Sequence, residues 1–343
     1  MTLEWHSPLE PPFHIAGFAW VREEKLYRRL PRTPSHPIPP MVDQLANHTA
    51  GGQIRFQTNS ASLFVKVRLS GIADMNHMPA TGQCAFDCYI GSPGEQKYYG
   101  TTVYDHSKPE YEVKVYENHM DGLRNITLYF PLYMGVEDVR IGLAPCADLF
   151  PPPPYASDRK IVIYGTSITQ GGCASRPGMA YPNILSRSIN AEFCNLGFSG
   201  SGKGESEVAE LISGIANPGL LVLDYEANCD SPDSLRATLP AFIRIYRRRH
   251  PDVPILVLSQ IRFGKEHFAP ELHALRLERQ AIQRSVVDAC LVNGDRRIYF
   301  CDGGALLGED YHDCTVDAVH PTDLGFHRMA EALVPVIRRY YRG

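Results

Sequence analysis

Long hydrophobic runs are missing from this chain. No apolar stretch approaches the roughly 20 residues that a membrane-spanning helix requires, so no membrane span is expected. A strong charge of one sign is missing too. Lys and Arg number 34 against 38 Asp and Glu, a formal net charge of −4, which gives no ground for a nucleic-acid or anionic-membrane partner. The first residues, Met1-Thr2-Leu3-Glu4-Trp5-His6-Ser7-Pro8, have neither a basic start nor an apolar core, so a signal peptide is not expected. Nine cysteines are scattered without a CxxC pair, and Cys194 and Cys301 lie in strand-like runs. An odd number of such residues points to reduced thiols packed as small apolar groups, and to the cytoplasm. The sequons at Asn47 and Asn125 are then expected to be silent. Internal repeats are absent, and proline supplies the low-complexity tract.

What is present divides by rhythm. Residues 1–150 alternate polar and apolar positions in Gln53–Thr58, Ser62–Leu69, Glu112–Tyr116, Asn125–Phe130 and Asp138–Leu143. Period-two runs separated by turn residues predict antiparallel sheets forming a small β-sandwich, jelly-roll-like, as an accessory domain. Pro31–Pro40 holds five prolines and must be irregular. Residues 151–157, which open on Pro151-Pro152-Pro153-Pro154, read as a stiff linker. From residue 158 to 343 short apolar runs (Ile161–Tyr164, Glu192–Leu196, Leu220–Tyr225, Ile255–Gln260, Ile298–Cys301) alternate with helical stretches (Ala180–Ser188, Glu205–Ile215, Ser234–Arg249, Glu271–Val292, Leu324–Tyr341). That order predicts an α/β domain, a parallel sheet with helices on both faces. A chain of this length is expected to hold two domains, each with its own core.

The run Lys160–Gly165 reads as a strand that ends on glycine and at once presents Ser167. Open α/β sheets place their ligands at the carboxyl ends of strands. Taken alone, Ser167 reads most simply as the cap of the next helix. Three further blocks change that: Asn195-Leu196-Gly197-Phe198-Ser199-Gly200-Ser201-Gly202, Glu226-Ala227-Asn228, and Val316-Asp317-Ala318-Val319-His320-Pro321. Each follows a strand or lies near a strand end.

In this order, on a β/α scaffold, the blocks resemble those of the SGNH (GDSL-type) hydrolase superfamily, which contribute Ser, Gly, Asn and His in turn. The resemblance covers residues 158–343 and implies a flavodoxin-like sheet. It extends to a subgroup whose N-terminal sandwich carries a Gly-x-Asp-Leu-Tyr-like signature, here the degenerate Ala85-Phe86-Asp87-Cys88-Tyr89. The first block departs from the family pattern at Thr166 and Ile168, where Asp and Leu are usual, and Cys229 stands where an Asp commonly follows the Asn. None of these replaces a group that performs the chemistry.

A neutral serine hydroxyl needs a general base within hydrogen-bond reach. His320 suits that role because imidazole titrates near working pH. Asp317, three residues upstream, is placed to orient the imidazole and to stabilise its cation. The resemblance further implies an oxyanion hole from the Ser167 and Gly200 backbone N–H groups and the Asn228 amide. Glycine allows close backbone approach to a ligand. Arg176 and Tyr181 are candidate pocket-lining residues, against plainer readings as an exposed Arg and a core Tyr. No cofactor is expected. Asn76-His77-Met78 and His312-Asp313 lack metal-ligand spacing, so no metal is expected either. The Arg247–His250 run suits a helix C-terminus, and Gly200–Lys203 lacks P-loop spacing.

The resulting expectation is a serine esterase acting through an acyl-enzyme on Ser167. Its substrate would be a short, acetyl-type ester of a carbohydrate or other small polyol. An acyltransferase using the same intermediate is one alternative; a carbohydrate-binding protein with a vestigial catalytic domain is another. The sandwich would cover part of the pocket or mediate homo-oligomer contacts.

Overall fold

Fifteen strands fall into three sheets among the residues described, 2–117 and 122–343 of a computed structural model. Five of them, β11 (Lys160–Gly165), β12 (Glu192–Gly197), β13 (Pro218–Asp224), β14 (Ile255–Leu258) and β15 (Ile298–Cys301), form one parallel sheet in the order β12-β11-β13-β14-β15. Numbered within this half, that is 2-1-3-4-5, the flavodoxin-like order. Both faces are covered, which is why the strands read as near-continuous apolar runs. Val162, Tyr164, Leu221, Leu223, Ile255 and Val257 pack towards helices Ser206–Ser213, Pro232–Arg249 and Pro270–Val292. Their neighbours Ile161, Ile163, Leu220, Val222, Leu256 and Leu258 pack towards Tyr181–Ser188 and Asp323–Tyr340. At roughly 1.5–3 kcal/mol for each large apolar side chain buried, these layers dominate the stability of this half.

Before them come β1 (Glu4–His6), β2 (His14–Ala16), β3 (Gln53–Thr58), β4 (Ser62–Leu69), β5 (Asp87–Ile90), β6 (Lys97–Thr101), β7 (Glu110–Glu117), β8 (Arg124–Tyr129), β9 (Val136–Leu143) and β10 (Leu149–Phe150). They build two antiparallel sheets, β1-β9-β4-β7 and β10-β3-β8-β5-β6, with β2 paired to β3. Ile54 and Phe56 of one sheet meet Val65, Val67, Val139 and Ile141 of the other, so the expected sandwich is present. β1, β2, β5 and β6 were not legible in the sequence, each being only three to five residues long.

The polar face of β3 is not a solvent face. Gln53 and Arg55 are buried. Gln53 Nε2 donates to Ser186 Oγ at 3.3 Å, and Arg55 lies 3.8 Å over the Tyr155 ring while donating to the Pro153 carbonyl at 2.8 Å. Tyr129 OH lies 2.9 Å from Ser186 Oγ. The sandwich therefore rests on the α/β half and on the proline-rich connector. Leu30, Val42, Leu45 and Ala46 go further and enter the core beside the parallel sheet. Pro31–Pro39 is irregular as expected, whereas Pro40 opens a short helix, Pro40–Leu45, at the position where its missing N–H costs nothing. No helix among the described residues is long and apolar enough to cross a membrane.

Candidate active site

Strand register brings the first three blocks together. Gly165, the last residue of β11, pairs with Gly197 of β12 on one side and Asp224 of β13 on the other. The chain therefore leaves three adjacent strands at one edge, carrying Ser167, the Ser199-Gly200 loop and Asn228. Glycine is required at 165, because a Cβ there would lie 2.0 Å from Thr169 Oγ1. That contact folds the chain tightly into the short helix Ser167–Gln170.

Thr166, not Ser167, caps this helix: its side-chain oxygen accepts from the Ile168 N–H at 3.2 Å. Ser167 is left free to face the fourth block. The Ser167 backbone carbonyl accepts from the Gly172 and Gly171 amides at 2.8 and 3.0 Å and from Tyr133 OH at 3.3 Å. Its Oγ lies 2.9 Å from His320 Nε2, across 153 residues of sequence.

His320 sits in the turn before the last helix. Asp317 Oδ1 accepts from the backbone N–H of His320 at 2.8 Å and of Val319 at 3.1 Å, and Asp317 Oδ2 lies 2.8 Å from His320 Nδ1. One carboxylate thus shapes the turn and aims the ring. Ala318 takes a positive φ of 65° inside it, and the Val316 N–H closes it by donating to the His320 carbonyl at 2.8 Å. Partial burial disfavours the charged form of Asp317. The hydrogen bonds from the His320 backbone and imidazole, the ring's positive charge and the Val319 amide outweigh that and hold its pKa at about 2. The carboxylate is therefore ionised throughout the neutral range.

Gly200 is exposed, with a φ of +65° that suits glycine. The Gly197 N–H is engaged by Asn195 Oδ1 at 2.9 Å, which separates the two glycines in role. Asn228 ends a 3-10 turn, Glu226–Asn228, and one amide N–H donates to the Phe198 carbonyl at 3.2 Å. An amide has two such donors. Burial pushes Glu226, at the start of this turn, up to about 8, against the pull of the Gln260 amide and the Arg279 and Arg276 charges.

A serine hydroxyl, an imidazole and a carboxylate in hydrogen-bonded line at strand ends have the geometry that acyl transfer requires. Residues 158–338 match the GDSL-like Lipase/Acylhydrolase family, and residues 3–149 match the N-terminus of SGNH_hydro-type esterases. The chain belongs to the GDSL-like lipase/acylhydrolase family. A solved GDSL-like lipase from Bacteroides ovatus ATCC 8483 is 30% identical over 100% of both chains, with a TM-score of 0.91. Two more distant structures share the fold. Salicylyl-acyltransferase SsfX3 from a tetracycline biosynthetic pathway is 21% identical, with TM-score 0.77 over 98% of this chain and 96% of its own. A family two carbohydrate esterase from Cellvibrio japonicus is 14% identical, with TM-score 0.62 over 99% and 98%. No curated protein matches.

Two expectations about this GDSL-like hydrolase need correction. The Arg176 guanidinium is engaged by the sandwich. It donates to Asp87 Oδ2 at 2.8 Å and Tyr89 OH at 2.7 Å and stacks 3.7 Å over Tyr98, so it joins the α/β half to the sandwich. Asp87 and Tyr89 are the recognisable residues of the degenerate sandwich signature, and this pairing explains their presence. Burial raises the Asp87 pKa, while Arg176, Thr101 and Gly178 pull it down. Tyr181 is fully buried, a core residue. Its hydroxyl donates to Asp224 Oδ2 at 2.7 Å beside Thr169 Oγ1 at 2.8 Å, beneath the helix Ser167–Gln170.

The N-terminal half also reaches the site through residues that carry no motif. Gln170 Oε1 accepts from the Ser199 N–H at 3.1 Å, and Gln170 Nε2 donates to the Leu132 carbonyl and to His48 Nδ1, both at 3.1 Å. Burial and the nearby Arg29 lower the His48 pKa to about 4, so its neutral ring accepts. Arg29, fully buried, donates to the carbonyls of Gly197, of Leu45 at 2.7 Å and of His48 at 2.8 Å. Its guanidinium also lies 4.6 Å over Phe198. His312 and Asp313 make a surface contact at 3.6 Å. His77, by contrast, stands beside His320, their ring centroids 6.0 Å apart. Cys173 is buried nearby, and that burial together with the Asp317 charge pushes its thiol up to about 12.

Proposed function

We propose that this hydrolase is a serine esterase with Ser167 as nucleophile, His320 as general base and Asp317 as orienting carboxylate. The observation that carries the reading is the relay itself, 2.9 Å from Ser167 Oγ to His320 Nε2 and 2.8 Å from His320 Nδ1 to Asp317 Oδ2. As Ser167 Oγ attacks the ester carbon, its proton passes to His320 Nε2 and the carbonyl oxygen becomes an oxyanion. The Ser167 and Gly200 N–H groups and the second Asn228 amide proton supply its donors. Collapse returns the proton from His320 to the leaving alcohol and leaves an acyl-Ser167. Water, deprotonated by His320, then releases the acid and restores the hydroxyl.

The preferred substrate is a short acyl ester, acetyl above all, on a sugar or polyol. Carbohydrate esterases and an acyltransferase share this fold, and fold alone selects neither substrate nor acceptor. Water is the acceptor in our reading, and an intact relay argues against a vestigial site. Nine unpaired cysteines, six of them buried, favour the cytoplasm. Hydrolysis of a chromogenic acetyl ester, with and without added polyols, tests the proposal. Ser167→Ala should abolish turnover, and polyols should leave no acylated product; equal rates in the two proteins would refute the nucleophile.

A further inference from the structure

The relay has a second set of neighbours that ester hydrolysis does not use. His77, on the loop before the helix Ala80–Cys84, and Cys173, after the nucleophile's helix, come together with Asp317 and His320. One ligand atom from each lies within 4.8 Å of all the others. Sequence spacing could not reveal the group, because it is assembled from three separate segments. We propose that His77, Cys173, Asp317 and His320 form a binding site for a thiophilic divalent cation of the zinc type, and that occupancy switches the esterase off.

The donor set is two imidazoles, a thiol and a carboxylate, each a ligand type that zinc accepts in four-coordinate sites. Bonds of about 2.0–2.3 Å to such an ion place neighbouring donors roughly 3.3–3.8 Å apart. The widest separations therefore need to close by about an ångström, within reach of side-chain rotation at His77 and Cys173. His77 is already oriented by an outer partner: its Nδ1 lies 3.3 Å from Asn76 Oδ1, which leaves Nε2 for the metal. Access exists as well. His77 and Cys173 line an open cavity of about 680 Å³, together with Met78, Val316 and Leu324.

Binding would release one proton. The Cys173 S–H bond breaks, a metal–sulfur bond forms, and the proton leaves to solvent. Inhibition follows from the inventory of His320. A neutral imidazole has one lone pair and one N–H. Once a metal holds that lone pair, whichever nitrogen carries it, the ring has no site left to accept the Ser167 proton. The inhibitory part of the inference rests on His320 acting as the base; the binding part does not.

The test uses the whole chain and two ions. Titration with Co²⁺ should give a thiolate-to-cobalt absorption band in the wild type and equally in Ser167→Ala. Cys173→Ser should abolish the band. His77→Ala should weaken binding about tenfold or more, as even loss of an outer-shell partner does. Zn²⁺ should suppress ester turnover in the wild type, reversibly on chelation. Cys173→Ser and His77→Ala should keep basal turnover and lose at least about tenfold in zinc sensitivity. No cobalt band, or a band unchanged in Cys173→Ser, would overturn the site. A normal band with unchanged turnover at saturating zinc would keep the site and refute His320 as base.

Discussion

The two halves of this molecule hold the site in different ways. The α/β half supplies every group proposed to touch the reacting ester, and it does so through backbone register: Gly165, Gly197 and Asp224 lie side by side, so the loops that follow must meet. The sandwich half and its flanking segment supply support through hydrogen bonds, three from side chains and one from a backbone carbonyl. Arg29, His48, Leu132 and Tyr133 reach across to hold the carbonyl of Gly197, the side chain of Gln170 and the carbonyl of Ser167. The proposed chemistry resides in one half, and part of its bracing comes from the other. A site placed by strand register is robust to surface change, whereas a site braced by a second layer can be loosened from outside.

That contrast can be broken at graded cost. The largest effect should come from the α/β half. Asn228→Ala removes a proposed oxyanion donor and should lower kcat about 10²–10³-fold with little change in KM, as steady-state kinetics would show. An unchanged kcat would remove Asn228 from the hole. A smaller effect should come from the junction. Gln170→Ala leaves the relay intact but frees the Ser199-Gly200 loop from Leu132 and His48, and should cost roughly tenfold in kcat, less than the 10² that a 1 Å misplacement can cause. Equal loss in Gln170→Ala and Asn228→Ala would erase the distinction between donor and brace.

The remaining effect concerns stability and pH and leaves turnover aside. The folded-state pKa of Glu226 is raised to about 8 from 4.5, so the folded protein binds this proton more tightly than the unfolded chain. The stability it confers is full below pH 4.5 and is lost as pH rises to about 8. Glu226→Gln should flatten that part of the profile, measured as urea midpoints between pH 5 and 8. A wild-type slope that persists in the variant would assign the effect elsewhere.

Much of the α/β half was legible because its strands are short apolar runs that stop at glycine or aspartate, and their helices run at helical period between them. Ser167, Gly200, Asn228, Asp317 and His320 stood out because each sits in a block of recognisable chemistry at such a boundary. Sequence proximity misled where structure needed spatial proximity. Arg176 and Tyr181 follow Ser167 closely, yet one clamps the sandwich and the other is core. Arg29 left no trace, since a buried cation satisfied by carbonyls has no partner residue type to betray it. His77 and Cys173 were invisible as a pair because 96 residues separate them in number. The capping role, first read into Ser167, belongs to Thr166, whose β-conformation and side-chain oxygen meet the helix one residue earlier.

The central claim is a covalent one, that Ser167 carries the acyl group. Rapid acid quenching during turnover of an acetyl ester, followed by peptide mass spectrometry, tests it directly. The account predicts one acetyl increment on the peptide containing Ser167, present in the wild type and absent from Ser167→Ala. The same increment on another residue, with the burst of product surviving in Ser167→Ala, would contradict it.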